Sequence, residues 1–338
     1  MDGKNKKIFF VPRENPTNAY VGQMQKAFQM AGFDKVSFLK ADYFSLNWIE
    51  SIPNNGFISA TYCFLQRLLF LVIIILRKKK IIWTYHNRRP HSNKYGYLSD
   101  ILLKIIVKNA KVIIIHSKKS RNFLLEDFPQ VFKKKILYIP HPNYCGVYPE
   151  EAHERVEDDI IRFTFVGAVS PYKNIESLIL GFNELREKKV SLGIFGKAST
   201  DEYKKKLEEI PIGQNIKLSL EFIKDENLVD VIKQSDIIIT PYYLDSVINS
   251  GTQILAMSYG KTVLTTPTCT MLDLPHELWF EIPFSASDKV EITESVKYII
   301  NHYSKKELGR IGMQLNKEMK TEYSLLRVAN IIKGDLDN

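Results

Sequence analysis

The sequence predicts an α/β protein built from two doubly wound parallel sheets, and three observations carry that expectation. Short runs rich in β-branched and aromatic residues recur along the chain, among them KIFFVP, KIIWTY, KVIII, RFTFV and the triplet Ile237-Ile238-Ile239. Between them lie segments whose apolar residues return at helical spacing. Strand and helix alternate from one end to the other, the order expected of parallel crossover units and not of hairpins.

Length and composition allow this. The 338 residues are enough for two domains with cores of their own, and 45% hydrophobic with 25% charged is ordinary for a globular chain. Cys63, Cys145 and Cys269 show neither metal nor redox spacing and form no even set, which favours a reducing compartment. The opening MDGKNKKIFFVP has too short an apolar run for a signal peptide, so a cytoplasmic protein is expected. The net charge of +9 is unevenly placed: residues 1–150 hold 24 Lys/Arg against 9 Asp/Glu, and residues 151–338 hold 23 against 29. A basic first half points to an anionic partner, either nucleic acid or an anionic membrane surface.

Taken in order, KIFFVP is the first strand, followed by a polar loop with Asn15, Asn18 and Tyr20 and a helix ended by Gly32. Residues 62–76 are the most apolar stretch, with Arg67 inside it and Arg77-Lys78-Lys79-Lys80 after it. A bilayer span needs roughly twenty apolar residues, so this run reads as a buried or surface-docking helix, its basic end suited to lipid headgroups. KIIWTY leaves through His86-Asn87-Arg88-Arg89-Pro90-His91, a set poorly suited to a core and well suited to a strand-exit site. His86 and His91 stand too close, with no third ligand, to argue for zinc. Imidazole here suits binding hydroxyls or moving a proton. KVIII exits through His116, and KILYIP through His141.

The acidic stretch PEEAHERVEDD, residues 149–159, is the expected linker. RFTFV then leads through Gly167 to Lys173 and Asn174 and into a helix with a clean apolar stripe. A lysine at that end opposes the helix dipole unless an anion shares the spot. The segment from Ser235 to Thr266 reads as strand, aromatic loop, Ser250-Gly251-Thr252 turn, helix and strand. Its helix N-terminus and hydroxyls suit a phosphate or diphosphate, unless Ser250 simply caps the helix. The tail is helical from about residue 292.

Residues 165–182, FVGAVSPYKNIESLILGF, resemble the strand-glycine-loop-lysine-helix block that opens the donor domain of GT-B glycosyltransferases of the family 4-like, group 1 type. TYHNRRPH is similar to the TxHNxxPH block, and NSGTQILAMSYGKTVL to the SGxxxLAxxxGxxV block, of a bacterial subgroup that extends lipid-linked polysaccharide precursors. IPHPNYCGVYP and the loop-helix of residues 15–32 fit it too. The resemblance implies a GT-B fold, two Rossmann-like domains facing across a cleft. Residues 1–150 would form the acceptor side, with a helix of about residues 318–338 packing back on it, and residues 158–317 would bind the nucleotide sugar.

Carried over by motif, the donor would meet Gly167, Lys173, Asn174, Tyr242, Asp245, Ser250, Gly251 and Thr252, and the acceptor Asn18, Tyr20, Asn87, His91 and His141. His86 and Lys173 would be catalytic. Two departures stand out: an arginine common after the glycine is Ala168 here, and the second of two glutamates common across the organising loop and helix falls at or near Leu255.

The implied activity is transfer of a hexose from a nucleotide-diphosphate sugar to a saccharide acceptor, lipid-linked and in surface polysaccharide or glycan biosynthesis. No cofactor and no metal are expected, the nucleotide sugar being a co-substrate. No nucleic acid is expected, and a peripheral position at the inner face of the membrane is. The alternatives are a nucleotide-sugar epimerase of the same fold and a catalytically silent glycan-binding relative.

Overall fold

The computed structural model describes residues 5–14, 18–53, 56–88, 94–150, 158–185, 189–243, 247–283 and 289–337. They divide into two units, Met1–Pro142 with Tyr323–Asn338, and Asn143–Glu322.

The first unit runs β1 (Lys6–Val11), α1 (Ala19–Met30), β2 (Phe33–Lys35), β3 (Tyr43–Leu46), α2 (Phe57–Leu76), β4 (Lys80–Thr84), α3 (Gly96–Asn109), β5 (Ala110–Ile115), α4 (Ser120–Asp127) and β6 (Lys135–Tyr138). Its strands form one parallel sheet in the order β2-β1-β3-β4-β5-β6. Because β1 lies between β2 and β3, the chain winds outward in both directions, and the switch point falls between β1 and β3. The register Val11↔Leu46 and Leu46↔Trp83 aligns the exits of β1, β3 and β4 along one edge. Strands β2 and β3 are absent from the sequence expectation. They are short, and β2 exposes two of its three residues, so neither shows an apolar run.

The second unit runs β7 (Ile161–Val166), α5 (Ile175–Asn183), β8 (Val190–Phe195), α6 (Asp201–Glu208), β9 (Ile216–Ser219), α7 (Asp225–Gln234), β10 (Ile237–Thr240), α8 (Gly251–Ser258), β11 (Thr262–Thr265), α9 (Cys269–Leu272), β12 (Phe280–Glu281), α10 (Lys289–His302) and α11 (Lys305–Thr321). Its parallel sheet has the order β12-β11-β10-β7-β8-β9, so the switch point lies between β7 and β10. Strand β10, three isoleucines followed by Thr240 with every residue buried, is what a central parallel strand covered on both faces requires. The break between α10 and α11 is fixed by a capping box, Ser304 Oγ accepting from the Glu307 amide while the Glu307 carboxylate accepts from the Ser304 amide.

The last helix, α12 (Leu325–Asp337), returns to the first unit, where Val328, Ala329 and Ile332 enter the core formed by Tyr20, Val21, Met24 and Phe28 of α1. Full burial of an aliphatic side chain such as Val328 or Ile332 contributes about 1.5–3 kcal/mol.

The division between the units falls at Pro142–Asn143, upstream of the acidic stretch where the linker was expected. Residues 143–148 are held by the second unit: Asn143 Nδ2 donates to the Met319 carbonyl at 2.6 Å, and the Tyr144 amide to Ser258 Oγ at 2.9 Å. Polarity in the sequence marks exposure, whereas these bonds decide which body the segment belongs to. Of the expected linker, residues 151–157 lie outside the described residues.

Candidate active site

In the second unit the exits of β7 and β10 meet at the switch point. The loop leaving β7 carries Gly167 and ends in a turn in which Lys173 precedes Asn174, a left-handed residue (φ +56°) that starts α5. Lys173 is only 8% exposed. Its ammonium donates to the Tyr242 hydroxyl at 3.0 Å and stands 4.1 Å from the centre of that ring and 5.3 Å from that of Tyr172. Burial opposes the charge, but the Tyr242 and Tyr172 side chains outweigh it and hold the lysine pKa above its usual value. Among the described residues no carboxylate lies within ion-pairing distance of it. This is a buried fixed cation set between aromatic faces.

The Tyr242 hydroxyl continues to Ser250 Oγ at 3.1 Å. Ser250 is the extended residue preceding α8, yet its side chain makes no capping bond, because its hydroxyl is turned to Tyr242. The expectation that Ser250 simply caps the helix therefore does not hold. The first amides of α8 keep their donors, with exposed Gly251 at the tip. Lys173 and the α8 N-terminus thus converge through one tyrosine.

The position of α8 is set from behind. Gln253, fully buried, donates through Nε2 to Thr240 Oγ1 (3.1 Å) and Thr265 Oγ1 (2.9 Å) at the ends of β10 and β11, and accepts from Thr268 Oγ1 at 2.7 Å. In front, Thr252 Oγ1 donates to the Val166 carbonyl at 3.2 Å. That bond commits the Thr252 proton, so only the backbone amide remains to donate to an anionic ligand. A Cβ at Gly167, where φ is +125°, would lie 3.1 Å from Thr252 Oγ1, and one at Gly196 only 1.8 Å from the Gly167 carbonyl oxygen. Bare backbone at Gly167 lets the β7 exit approach α8, and at Gly196 it lets the β8 exit approach that of β7. Asn249, unremarked in the sequence, accepts from Thr270 Oγ1 at 2.8 Å, while its buried Nδ2 finds no acceptor among the described residues.

In the first unit the strand exits gather side chains of another kind. Tyr20, Asn47, His86, His116 and His141 are all buried. They stand after β1, β3, β4, β5 and β6 respectively. Tyr20 lies 4.9–5.2 Å, ring centre to ring centre, from the three imidazoles, and Trp48 stacks on His86 at 4.1 Å.

The hydrogen bonds assign the tautomers. His116 Nδ1 faces the Ile139 carbonyl at 2.7 Å, so it carries the proton, and Nε2 accepts from the Tyr20 hydroxyl at 2.8 Å. Asn47 Nδ2 donates to the Val11 carbonyl, which leaves Oδ1 to accept from His86 Nε2 at 2.9 Å and puts the lone pair of His86 on Nδ1. His141 Nδ1 donates to the Pro142 carbonyl at 2.8 Å. Burial, with mutual repulsion adding to it, holds His86 well below the ordinary histidine pKa. It takes His116 to about 3 and His141 to about 4, and it pushes the Tyr20 hydroxyl up. All three imidazoles are neutral at physiological pH; both nitrogens of His116 are engaged, while His86 keeps the Nδ1 lone pair for a hydroxyl or a proton.

Of the sequence-predicted residues, Gly167, Lys173, Asn174, Tyr242, Ser250, Gly251 and Thr252 come together in the second unit. Tyr20, His86 and His141 come together in the first, with half-buried Asn87 next in chain to His86. Asn18 is occupied as the N-cap of α1, its Oδ1 accepting from the Tyr20 amide at 3.0 Å. His91 and Asp245 lie outside the described residues. Sequence reading gave no role to Asn47, Trp48 or His116. His116 directly follows a strand, as His86 and His141 nearly do, and that shared placement is the signal that finds it. Among the described residues no group of His, Cys, Asp or Glu is arranged to hold a metal ion.

Two Rossmann-like sheets, each with its polar cluster at the switch-point edge, define the GT-B class of fold. In agreement, Anabaena HepE, solved with UDP-glucose, aligns over 98% of this chain and 99% of its own with a TM-score of 0.71 at 12% identity. Residues 150–277 match the family model described as Glycosyl transferases group 1. An uncharacterized glycosyltransferase of Methanocaldococcus jannaschii is 28% identical over 209 residues, 56% of this chain and about half (51%) of that protein. A GDP-mannose:glycolipid 4-beta-D-mannosyltransferase of Xanthomonas campestris pv. campestris is 23% identical over 260 residues, 73% of this chain and 69% of its own.

Proposed function

We propose that the chain transfers a hexose from a nucleotide-diphosphate sugar to a saccharide acceptor, lipid-linked, in the building of a surface glycan. The observation that carries the reading is the buried Lys173 ammonium, joined through Tyr242 to Ser250 at the open N-terminus of α8. As the bond from the anomeric carbon to the diphosphate breaks, negative charge grows on the leaving oxygen. A fixed ammonium and unpaired amides stabilise that charge without reorganising, and deleting one such donor typically costs roughly 3–4 kcal/mol. Lys173, Ser250, Gly251 and the Thr252 amide would hold the diphosphate, with Asn174, Gly167 and Tyr242 shaping the pocket around it.

On the acceptor side, His86 offers an unprotonated Nδ1 and is the candidate to contact the transferred sugar or take the acceptor's proton, while Tyr20 and His141 would bind acceptor hydroxyls. The cation in this scheme is lysine, so transfer in excess EDTA should keep its rate.

Thermal unfolding with UDP, GDP and ADP, each alone and each as its sugar nucleotide, tests the donor half. One diphosphate should raise the melting temperature according to its affinity, since a ligand of the folded state stabilises it by RT ln(1 + [L]/Kd). No shift with any of them would end the proposal. Incubating the stabilising sugar nucleotide without acceptor separates transfer from epimerisation: an epimer appearing at turnover rate would favour the isomerase.

A further inference from the structure

Helix α2 breaks the rule that governs surface helices. Its outward positions Ile58, Tyr62, Leu65, Leu69, Val72 and Leu76 are 39–85% exposed. They follow one another at alternating spacings of four and three residues, which places them on a single straight stripe. The helix contains no acidic residue, and its one charge, Arg67, points inward, where Nη1 donates to the Ile49 carbonyl at 2.7 Å and to that of Ser51. Only 17% of its most apolar 18-residue window is buried, so this is not a core helix. It is the one helix among the described residues long and apolar enough to cross a membrane.

Crossing is excluded by its place in the fold. It is the crossover between β3 and β4, which pair in register from Tyr43↔Lys80 to Leu46↔Trp83, and its inner face packs through Ala60, Leu71 and Ile74. A helix bound to a sheet along its length can meet a bilayer only side-on. The neighbouring helix α3 also exposes two apolar side chains, Tyr97 and Ile101. Exposed Arg77 and Lys78 follow the end of α2, and exposed Lys104 and Lys108 lie in the last half of α3. Against these cations the two helices hold one acidic residue, Asp100.

We propose that the α2–α3 face of the first unit is a docking surface for an anionic lipid bilayer, with the apolar stripe entering the acyl boundary and the lysines and arginine at the headgroups. Charge favours this occupant over a second copy of the chain: two copies meeting through the same face would bring together like-charged surfaces of a half whose 24 Lys/Arg face 9 Asp/Glu. The inference stands apart from sugar transfer and is scored without donor or acceptor.

The test is flotation of the full chain with vesicles of phosphatidylcholine alone or with about 30% phosphatidylglycerol. The chain should float with the anionic vesicles at least about tenfold more tightly than with the neutral ones, and roughly 0.5 M salt should weaken that preference. Leu65→Gln/Leu69→Gln, both on the exposed stripe and checked for unchanged melting, should lose at least about tenfold in vesicle affinity. Lys78→Glu/Lys108→Glu, which leaves the stripe intact, should lose the preference for anionic lipid. A wild-type chain left unfloated with anionic vesicles overturns the proposal, as does undiminished binding by the leucine variant. Concentration-dependent dimerisation that the leucine variant abolishes, without vesicle binding, overturns it in favour of a second copy.

Discussion

The two switch-point clusters occupy equivalent positions in their sheets and are built for opposite charge. At the β7/β10 edge a lysine is buried with hydroxyl and ring partners, beside the positive end of α8. At the β1/β3 edge three imidazoles are buried with carbonyl, amide and hydroxyl partners, and none keeps a charge near neutrality. Burial penalises the charged form in both sets. What differs is the partners: the lysine is held charged by tyrosines, whereas each histidine is packed among other histidines, so protonating one would repel the next. One edge is thereby made to receive an anion, and the other to exchange hydrogen bonds and protons with neutral groups.

The sharpest way to break this comparison is to neutralise the cation. Lys173→Met should lower turnover with a sugar nucleotide by about two to three orders of magnitude. It should leave the melting temperature of the ligand-free protein within a few degrees of the wild type, because methionine keeps the apolar length of the side chain and gives up only its contacts with the two tyrosines. The diphosphate-induced shift should vanish. An undiminished rate would remove Lys173 from the mechanism, and a melting temperature lowered by several degrees would mean that the lysine serves the fold.

For the histidine edge the expected signature is in stability. Folded-state values of about 3 for His116 and about 4 for His141 lie below the roughly 6.5 of an unfolded histidine. Above that value neither state binds the proton and nothing is lost. As pH falls below it, the unfolded chain takes up protons that the folded one refuses, so unfolding free energy should drop by about 1.4 kcal/mol per pH unit for each buried histidine. Urea unfolding between pH 7.5 and 5.5, compared between the wild type and His116→Gln, isolates one such contribution. Equal slopes would show that His116 protonates freely in the folded protein.

The alternation of strands and helices was legible because central parallel strands are short and continuously apolar, as KVIII and Ile237-Ile238-Ile239 are. Strands β2 and β12 escaped because edge strands are brief and half exposed, and β3 because its serine interrupts the run. Site residues showed themselves where a polar side chain had no packing reason to be there, His86 just past a strand and Lys173 at the start of a helix whose dipole it opposes. Asn47 and Trp48 gave no such signal, since the strand before them went unread. Likewise Gln253 looked like a helix residue, and only the threonines of two neighbouring strands show why it is polar. The exposed stripe of α2 was ambiguous for the converse reason: apolarity all round a helix predicts either a core or a lipid face, and only the packing of the folded chain separates them.

The finest test of the contrast is a single hydroxyl. Tyr242→Phe keeps the ring over Lys173 but removes the oxygen that links its ammonium, at 3.0 Å, to Ser250, at 3.1 Å. One such bond to a charged group is worth roughly 1.5–3 kcal/mol, part of which the aromatic face retains, so diphosphate affinity should fall by about tenfold, less than for Lys173→Met. The variant should also change the pH profile. Tyr242 is among the groups that raise the lysine pKa against burial, so without its hydroxyl the ammonium should lose its proton at a lower alkaline pH, and diphosphate binding should fade earlier on that side than in the wild type. If affinity drops while the alkaline limb stays in place, the tyrosine acts only as a spacer between the lysine and α8, and the charge of Lys173 is maintained by something other than its aromatic neighbours.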